Sequence, residues 1–371
     1  MPHMSLIHRR DFILGAASVG ALAAAAPFAR AEQPSLKELA ASKGLLFGTP
    51  MRMASLEKDA AYAQMMAREC SIYVSAEMHW RLVARHPQGT NFSRPDAALA
   101  WARAHGMRFR GHSLLWHLQT PAWFSDLPDA RAAAAAIQDH IHQMCRHYAG
   151  KIQSWDVVNE AILTKGGING LRKSVFLEKI GPDYLDIAFR TAREADPHAL
   201  LVLNENYLEY TLPGSLERRR ALLAVVDGFK RRNTPIDAIG IQSHLATEFF
   251  DRIDQASLAG FLNEISDRGL KIMITEMDVL DRSAPSDVVE RDSQVAAVYK
   301  RYLDAALDNP ALIAVITWGL TDKESWIVRG DLKNFKRSDG LPARPLPFDE
   351  QYRPKKAYQA IVESLRAAPV R

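Results

Sequence analysis

Eight short apolar segments, separated by stretches with helical periodicity, constrain the fold of this chain more than any other feature. The alternation of strand and helix is typical of a parallel sheet, and eight such units predict an α/β protein with a single (β/α)8 (TIM) barrel. A chain of 371 residues is long enough for one such barrel. The predicted strands are 45–49, 71–77, 107–113, 152–160, 200–204, 238–242, 272–276 and 312–318.

The rest of the chain fits one barrel domain over residues 32–371. No internal repeat or low-complexity linker interrupts it. The segment 329–354 is rich in Pro, Gly, Lys and Arg, and we expect it to wrap the barrel before a last helix at 356–366. Neither feature indicates a second domain.

The N-terminal segment predicts export. The pair Arg9-Arg10 precedes a weakly apolar, alanine-rich run to Ala26, and residues 29–31 offer a small-x-small cleavage site. Glycines and alanines make the run too weakly apolar for an anchoring helix. We therefore expect residues 1–31 to be a twin-arginine-type signal peptide, the mature protein to be periplasmic or secreted, and no stable membrane association.

Charge and cysteine content exclude some classes of protein. The net charge is only +4, and the basic clusters at 218–220 and 230–232 lack interleaved aromatic residues. They indicate solvated helix faces, not a nucleic-acid surface. Cys70 and Cys145 could be bridged, but nothing in the sequence fixes their distance, so buried free thiols are favoured.

Two of the predicted strands end in carboxylates. The segment 152–160 ends in Asn159-Glu160, and the strand at 272–276 ends in Glu276, with Asp278 two residues later. In barrels of this kind the working residues lie at the carboxyl ends of the strands. Two carboxylates at two strand ends suggest a glycosidase.

Other strand ends carry amide, imidazole and indole groups. Sugar hydroxyls need planar hydrogen-bonding partners, and the faces of sugar rings pack on flat apolar groups such as tryptophan. The spacing between His112 and His117 fits no common zinc-binding helix, so a metal hydrolase is disfavoured, and we expect no metal or other cofactor. The candidate binding residues at these strand ends are His79, His112, Trp116, Gln119, Asn159, Gln242, His244, Asp278 and Trp318.

With these residues in view, the chain resembles the family-ten glycoside hydrolases, the retaining endo-β-1,4-xylanases. The resemblance covers nearly all of the mature chain. The motifs that carry it are Gly111-His112-Ser113-Leu114-Leu115-Trp116-His117 with Gln119, Trp155-Asp156-Val157-Val158-Asn159-Glu160, Thr275-Glu276-Met277-Asp278, Trp318 with Trp326, and Phe348-Asp349 with Tyr352-Arg353-Pro354-Lys355.

The resemblance implies an endo-1,4-β-xylanase that acts on xylan and xylo-oligosaccharides without a cofactor, and we expect a monomer. It implies that Glu160 is the acid/base and Glu276 the nucleophile of a double displacement through a glycosyl-enzyme. The matching positions also carry implied binding roles. His244 and Asp278 form a relay onto the nucleophile, Asn159 and Gln242 hold the reactive centre, His112, Trp116 and Trp318 line the subsite of the cleaved sugar, Gln119 reaches the next sugar, and Trp326 covers the ring or the leaving-group side.

Two segments depart from the family pattern. Where the family has Glu-Asn-Glu-Met-Lys-Trp after the second strand, this chain has Ser75-Ala76-Glu77-Met78-His79-Trp80, so three groups that grip the sugar two positions out are lost. His79 is expected to compensate only partly. After the fifth strand, Asp-Tyr-Asn becomes Glu205-Asn206-Tyr207. These changes leave open an alternative function, that of a related retaining barrel glycosidase that acts on another β-glucan or a specially decorated xylan.

The sequence also bears on two further functions, carbohydrate binding without turnover and transglycosylation. A carbohydrate-binding protein without turnover is disfavoured, because both Glu160 and Glu276 are intact. Transglycosylation in place of hydrolysis depends on water access, which the sequence does not define.

Overall fold

A closed ring of eight parallel strands forms the centre of the molecule. The computed structural model describes residues 34–330 and 335–371, so the predicted signal peptide 1–31 lies outside the described residues. The ring closes where β10 pairs with both β9 and β1. The strands are β1 (Leu46–Met51), β2 (Ile72–Ser75), β3 (Arg108–Gly111), β4 (Leu115–Trp116), β5 (Ser154–Asn159), β6 (Leu200–Glu205), β7 (Ala238–Ile241), β8 (His244–Ala246), β9 (Lys271–Leu280) and β10 (Leu312–Thr317).

The predicted (β/α)8 barrel is confirmed, with two additions. The short strands β4 and β8 extend the ladder beyond the ring, β4 on β5 and β8 on β9. The second added strand, β8, explains why β9 continues past its predicted end at 276. His244 pairs with Asp278 and Ala246 with Leu280, so both segments stay extended above the barrel rim.

The helices pack outside the ring. The helical segment between β1 and β2 is divided in two at Asp59. The extended backbone of Asp59 ends α2, and its carboxylate caps α3 by accepting from the Tyr62 amide at 3.1 Å. The helices are α1 (Leu36–Ala41), α2 (Met53–Lys58), α3 (Ala60–Glu69), α4 (Trp80–Val83), α5 (Ser93–Ala104), α6 (Ala130–His147), α7 (Val175–Ile180), α8 (Tyr184–Ala195), α9 (Pro213–Arg231), α10 (Gln255–Ser266), α11 (Val288–Ala306), α12 (Trp326–Arg329) and α13 (Lys356–Ala367).

The core has two layers. Aliphatic side chains fill the interior of the barrel, among them Ile72, Val202 and Ile316. A larger layer lies between the strands and the helices and contains Cys70 and Cys145, which are both buried free thiols, as favoured from the sequence.

The segment before α13 is tied to the barrel by buried polar contacts. Asp322 accepts from Lys355 Nζ at 2.8 Å and from the Leu346 amide at 3.0 Å. Within residues 34–330 and 335–371, no helix is long and apolar enough to cross a membrane.

Candidate active site

The two predicted catalytic carboxylates are joined by a chain of side-chain amides. Gln242 Nε2 donates to Glu160 Oε1 at 3.3 Å and to Asn159 Oδ1 at 3.2 Å. Asn204 Nδ2 donates to the same Asn159 oxygen at 2.8 Å and to Glu276 Oε1 at 2.7 Å. Five residues that follow or belong to four neighbouring strands are therefore brought into one network that orients both carboxylates.

Asn204 was not among the residues selected from the sequence. It lies near the end of β6, and its Oδ1 accepts from Thr275 Oγ1 at 2.7 Å, which fixes the amide with its nitrogen toward Glu276. A Cβ at Gly240 would lie 2.2 Å from this Oδ1, so β7 needs a glycine there. The available signal was its position at a strand end, the same criterion that selected Asn159 and Gln242.

Two residues at the site have a left-handed backbone conformation. Glu160 has φ 59° and Ser243 has φ 62°. Residues other than glycine rarely adopt this conformation, and it concentrates at functional sites. The Glu160 backbone is held on both sides, because its amide donates to the Asn204 carbonyl at 2.9 Å and its carbonyl accepts from Arg172 Nε at 2.7 Å.

His244 links Glu276 to Asp278 and, through it, to Trp326. Its Nε2 lies 3.2 Å from Glu276 Oε2, and its Nδ1 lies 2.9 Å from Asp278 Oδ1. The second oxygen of Asp278 accepts from Trp326 Nε1 at 2.7 Å. Burial disfavours protonation of His244, but the two carboxylates outweigh it and raise the pKa of His244 well above its usual 6.5. We infer that the imidazole is a cation.

Four predicted sugar-binding residues form one aromatic cluster beside the carboxylates. The His112 ring centroid lies 5.3 Å from Trp318, 6.0 Å from Trp116 and 5.2 Å from His79. These distances suit edge-to-face and tilted ring pairs. The cluster presents flat indole surfaces of the kind that pack on sugar rings.

His112 is anchored from inside the barrel. Its Nδ1 lies 2.8 Å from Asp156 Oδ2, and the other oxygen of Asp156 pairs with Arg110. Burial lowers the pKa of His112, but the hydrogen bond to Asp156 and the charge of Glu276 outweigh this and raise it. Neither Asp156 nor Arg110 was selected as a site residue, because β3 and β5 carry them below the strand ends.

The surroundings of Glu160 are more open than those of Glu276. The Glu160 side chain is 13% exposed and the Glu276 side chain 6%. Arg172 Nη2 lies 3.8 Å from Glu160 Oε2. Burial, together with the charge of Arg172, lowers the pKa of the nearby His117, whose Nδ1 is buried without a hydrogen-bond partner among the described residues.

Two predicted binding residues have unused buried polar atoms. Gln119 lies in the 3-10 turn His117–Gln119 that follows β4, and its Oε1 has no partner in the described part of the chain. His79 lies just before α4, only 8% exposed, and its Nδ1 likewise lacks a partner there. Burial, with a contribution from His112, holds the pKa of His79 well below 6.5, so its imidazole is neutral.

A cavity of about 450 Å³ opens over this network. Asn159 and Asp278 are almost fully buried behind its wall. No group of three or more His, Cys, Asp or Glu side chains suited to holding a metal ion occurs in 34–330 and 335–371. The predicted site residues that line the cavity are Trp116, Glu160, Gln242, His244, Glu276, Trp318 and Trp326.

Two carboxylates over one cavity, beside indole rings at the carboxyl ends of parallel strands, define the site of a barrel glycoside hydrolase. Residues 35–364 match the model of glycosyl hydrolase family 10. The chain belongs to this family.

Relatives and solved structures agree with this assignment. The chain is 32% identical over 313 residues to endo-1,4-β-xylanase B of Thermotoga neapolitana, covering 83% of this chain and 84% of that protein. It is 30% identical over 339 residues to endo-1,4-β-xylanase 3 of Hypocrea jecorina, covering 91% and 87%.

Two solved structures are similar throughout. The crystal structure of native xylanase 10B from Thermotoga maritima superposes with a TM-score of 0.81 at 32% identity, covering 90% of this chain and 98% of that one. Xylanase 10B from Thermotoga petrophila, in complex with xylobiose, gives a TM-score of 0.81 at 31% identity, covering 91% and 98%.

Proposed function

We propose that this protein is a retaining endo-1,4-β-xylanase that cleaves internal bonds of xylan by double displacement through a covalent glycosyl-enzyme. The observation that carries the proposal is the different hydrogen bonding of the two carboxylates in one amide network. Glu276 accepts from Asn204 at 2.7 Å and faces the His244 imidazolium at 3.2 Å. Glu160 accepts one longer amide bond, at 3.3 Å, and is more exposed.

In the first step the two carboxyl groups act on opposite ends of the scissile bond. Glu276, ionised and held by Asn204 and His244, attacks the anomeric carbon, while Glu160 donates its proton to the departing glycosidic oxygen. A bond forms between Glu276 and C1, and the C1–O bond breaks with its electron pair on the protonated leaving group.

In the second step the same residues release the sugar. Glu160, left as a carboxylate when it protonated the leaving oxygen, now serves as a general base. Glu160 takes a proton from water, the hydroxide attacks C1, and Glu276 leaves as carboxylate. Two inversions at C1 give net retention.

The aromatic cluster supports a pyranose in the cleaved position. Trp318 and Trp116 offer flat faces, and His112, anchored by Asp156, offers its second ring nitrogen as a hydrogen-bond donor to the sugar. The relatives named above are endo-1,4-β-xylanases, and the Thermotoga petrophila structure holds xylobiose, which favours a xylan substrate.

The test is turnover of a polysaccharide panel. Purified protein should release reducing ends from unsubstituted xylan and produce xylobiose and xylotriose early, with little activity on mixed-linkage β-glucan. Predominant activity on β-glucan, or on a decorated xylan alone, would instead favour the alternative raised by Ser75, Ala76 and His79. Proton NMR of the first product gives the stereochemistry, and accumulation of longer oligomers would show transglycosylation.

We also propose export through the segment 1–31. The support is the pair Arg9-Arg10, the weakly apolar run after it and the small residues at 29–31. A fusion of residues 1–31 to a reporter that folds before export should reach the periplasm. Substitution of both arginines by lysine should abolish transport, whereas a variant that is still exported would contradict the assignment.

A further inference from the structure

The end of β6 and the loop after it carry two buried carboxyl groups that the proposed mechanism does not use. Glu205 is the last residue of β6, Glu209 lies four residues later, and they are 0% and 1% exposed. We infer that both are positioning residues: Glu205 holds the turn that carries Glu160, and Glu209 holds the turn that carries His244. The inference rests on the proposed function and adds to it the residues that orient the acid/base and the partner of the nucleophile.

Glu205 contacts the backbone two residues beyond Glu160. Its Oε1 accepts from the Ile162 amide at 2.9 Å. The carbonyl of the preceding residue on β6, Asn204, accepts from the Glu160 amide at 2.9 Å. Consecutive residues at the end of β6 therefore hold both ends of the turn 160–162. Glu160 has a left-handed backbone, and a residue other than glycine keeps that conformation only where its surroundings impose it.

The carbonyl groups of the same turn are held by two arginines. Arg172 donates to the Glu160 carbonyl from Nε and to the Ala161 carbonyl from its backbone amide, both at 2.7 Å. Arg218 on α9 donates to the Ile162 carbonyl at 3.1 Å. The turn that carries the acid/base is thus fixed from β6, from α9 and from the segment that follows it.

Glu209 makes the equivalent contact with the other left-handed residue of the site. Its Oε1 accepts from the Ser243 amide at 2.8 Å, and Ser243 directly precedes His244. Ser243 Oγ lies 2.8 Å from the hydroxyl oxygen of Tyr302 on α11, and the Ser243 carbonyl accepts from the Asp278 amide at 3.3 Å. The backbone that aims the His244 imidazole at the nucleophile is therefore held by Glu209 from behind.

Two adjacent arginines of α9 clamp the loop between these carboxyl groups. The sequence predicts that the basic cluster 218–220 lies on a solvated helix face, but Arg219 is only 5% exposed and Arg218 is half-buried. Arg219 Nε donates to the Leu208 carbonyl at 2.7 Å, and Arg218 Nη1 donates to Asn206 Oδ1 at 2.6 Å. The loop that presents Glu205 and Glu209 is therefore fixed to a long helix.

The role of Glu205 has a kinetic signature that a general loss of folded enzyme does not share. Protonation by Glu160 matters for a phenyl leaving group and little for a dinitrophenyl group, which departs without a proton. A misplaced Glu160 should therefore reduce kcat/KM for the first substrate and largely spare the second. Fewer active molecules would reduce both values by the same factor.

The first experiment compares phenyl and dinitrophenyl β-xylobiosides. Glu205→Ala should lower kcat/KM about 30- to 100-fold on the phenyl substrate and about threefold or less on the dinitrophenyl substrate. Glu205→Gln keeps an acceptor for the Ile162 amide and should restore most of the phenyl activity. Glu217→Ala, an exposed position on α9, is the matched control and should change neither value.

The second experiment is a double-mutant cycle between Glu209 and His244. Glu209→Ala should lower kcat/KM about tenfold on both substrates, because the nucleophile acts on both. In the His244→Ala background the same substitution should cause no further loss, since the group that it positions is absent. A structural effect would instead give the same loss in both backgrounds.

A second variant keeps each half testable if an alanine variant does not fold. Arg218→Ala removes the bond to the Ile162 carbonyl and should give the same bias toward the dinitrophenyl substrate, with Arg220→Ala, exposed on α9, as its control. Tyr302→Phe removes the hydroxyl beside Ser243. It should lower kcat/KM about threefold in the wild type and cause no loss in His244→Ala.

The outcomes separate this inference from the proposed function, and each residue is judged by its own comparison. A loss biased toward the phenyl substrate supports the role of Glu205, and a loss that disappears without His244 supports that of Glu209. Equal losses on both substrates, or a full loss that persists without His244, would overturn the corresponding role and leave the proposed function standing. A Glu160→Ala variant that shows no preference for the dinitrophenyl substrate would instead overturn the proposed function.

Discussion

His244 Nε2 lies 3.2 Å from Glu276 Oε2, and the same imidazole is held by Asp278 at 2.9 Å. Burial alone would keep His244 neutral, yet the two carboxylates raise its pKa well above 6.5. The imidazolium therefore compensates the charge of Glu276. If Glu276 is the nucleophile, as we propose, removal of this partner should be visible in kinetics.

His244→Ala should lower kcat/KM on xylo-oligosaccharides by roughly 10- to 150-fold, the equivalent of losing one charge-assisted hydrogen bond of about 1.5–3 kcal/mol. Because the compensating cation is lost, the acidic limb of the pH profile of kcat/KM should move to higher pH. A profile with unchanged limbs would contradict the role of the imidazolium.

The same residue predicts a dependence of stability on pH. The pKa of His244 is higher in the folded than in the unfolded protein, so its stabilising contribution is fully present below about pH 6.5. That contribution is lost as pH rises through the higher folded value. The difference in Tm between wild type and His244→Ala should therefore shrink toward alkaline pH, and a constant difference would contradict the prediction.

Asn204→Ala should lower kcat/KM by about 10- to 100-fold, because it removes the 2.7 Å hydrogen bond to Glu276 and the bond to Asn159. Gly240→Ala should have a similar kinetic effect, since its Cβ would lie 2.2 Å from Asn204 Oδ1. Gly260→Ala, on α10 with nothing within 4 Å of the added Cβ, is the matched control. Normal activity of Gly240→Ala would contradict the role of Asn204.

His79→Ala should weaken kcat/KM on xylotriose more than on long xylan, by roughly fivefold for one lost hydrogen bond of about 1 kcal/mol. Long xylan has further subsites that offset the loss. Because the pKa of His79 lies well below 6.5, the ratio of the two substrates should stay constant between about pH 6.5 and 8. A ratio that titrates in this range would mean that His79 binds as a cation.

Glu205 predicts a second effect of pH on stability. It is fully buried, and burial is the main cause that raises its pKa from 4.5 to about 8. Between these values the unfolded chain loses a proton that the folded protein keeps, so stability falls as pH rises, by about 4 kcal/mol in total. Glu205→Gln mimics the protonated carboxyl and should flatten this fall in urea unfolding from pH 4.5 to 8. An unchanged slope would contradict the assignment.

The barrel was predictable because each strand is a short apolar segment that ends in polar residues. The same regularity placed Glu160, Glu276 and His244 at one rim, since the carboxyl ends of parallel strands converge. The pattern does not indicate how far below the rim of the barrel a side chain lies. Asp156 and Arg110 point into the barrel below the rim, and only the register of β3 against β5 brings them under His112.

The orientation of the site side chains could not be predicted from the sequence either. Asn204 has the residue type and position of a site residue, but its contact with Glu276 depends on the absence of a side chain at Gly240. His79 is expected to contact the sugar, and the structure places it almost fully buried in the aromatic cluster, which its position in the sequence does not indicate. Tyr207 and Phe335 line the same cavity, although the sequence separates them by more than a third of the chain.

Azide rescue tests the division of roles between Glu160 and Glu276 most directly. On an aryl β-xylobioside with a good leaving group, Glu160→Ala should still form the glycosyl-enzyme, and azide should accelerate its breakdown to a β-glycosyl azide of retained configuration. Glu276→Ala should lose turnover and give, with azide, only the inverted α-product. Retained β-azide from Glu276→Ala and inverted azide from Glu160→Ala would contradict the account and reverse the two roles.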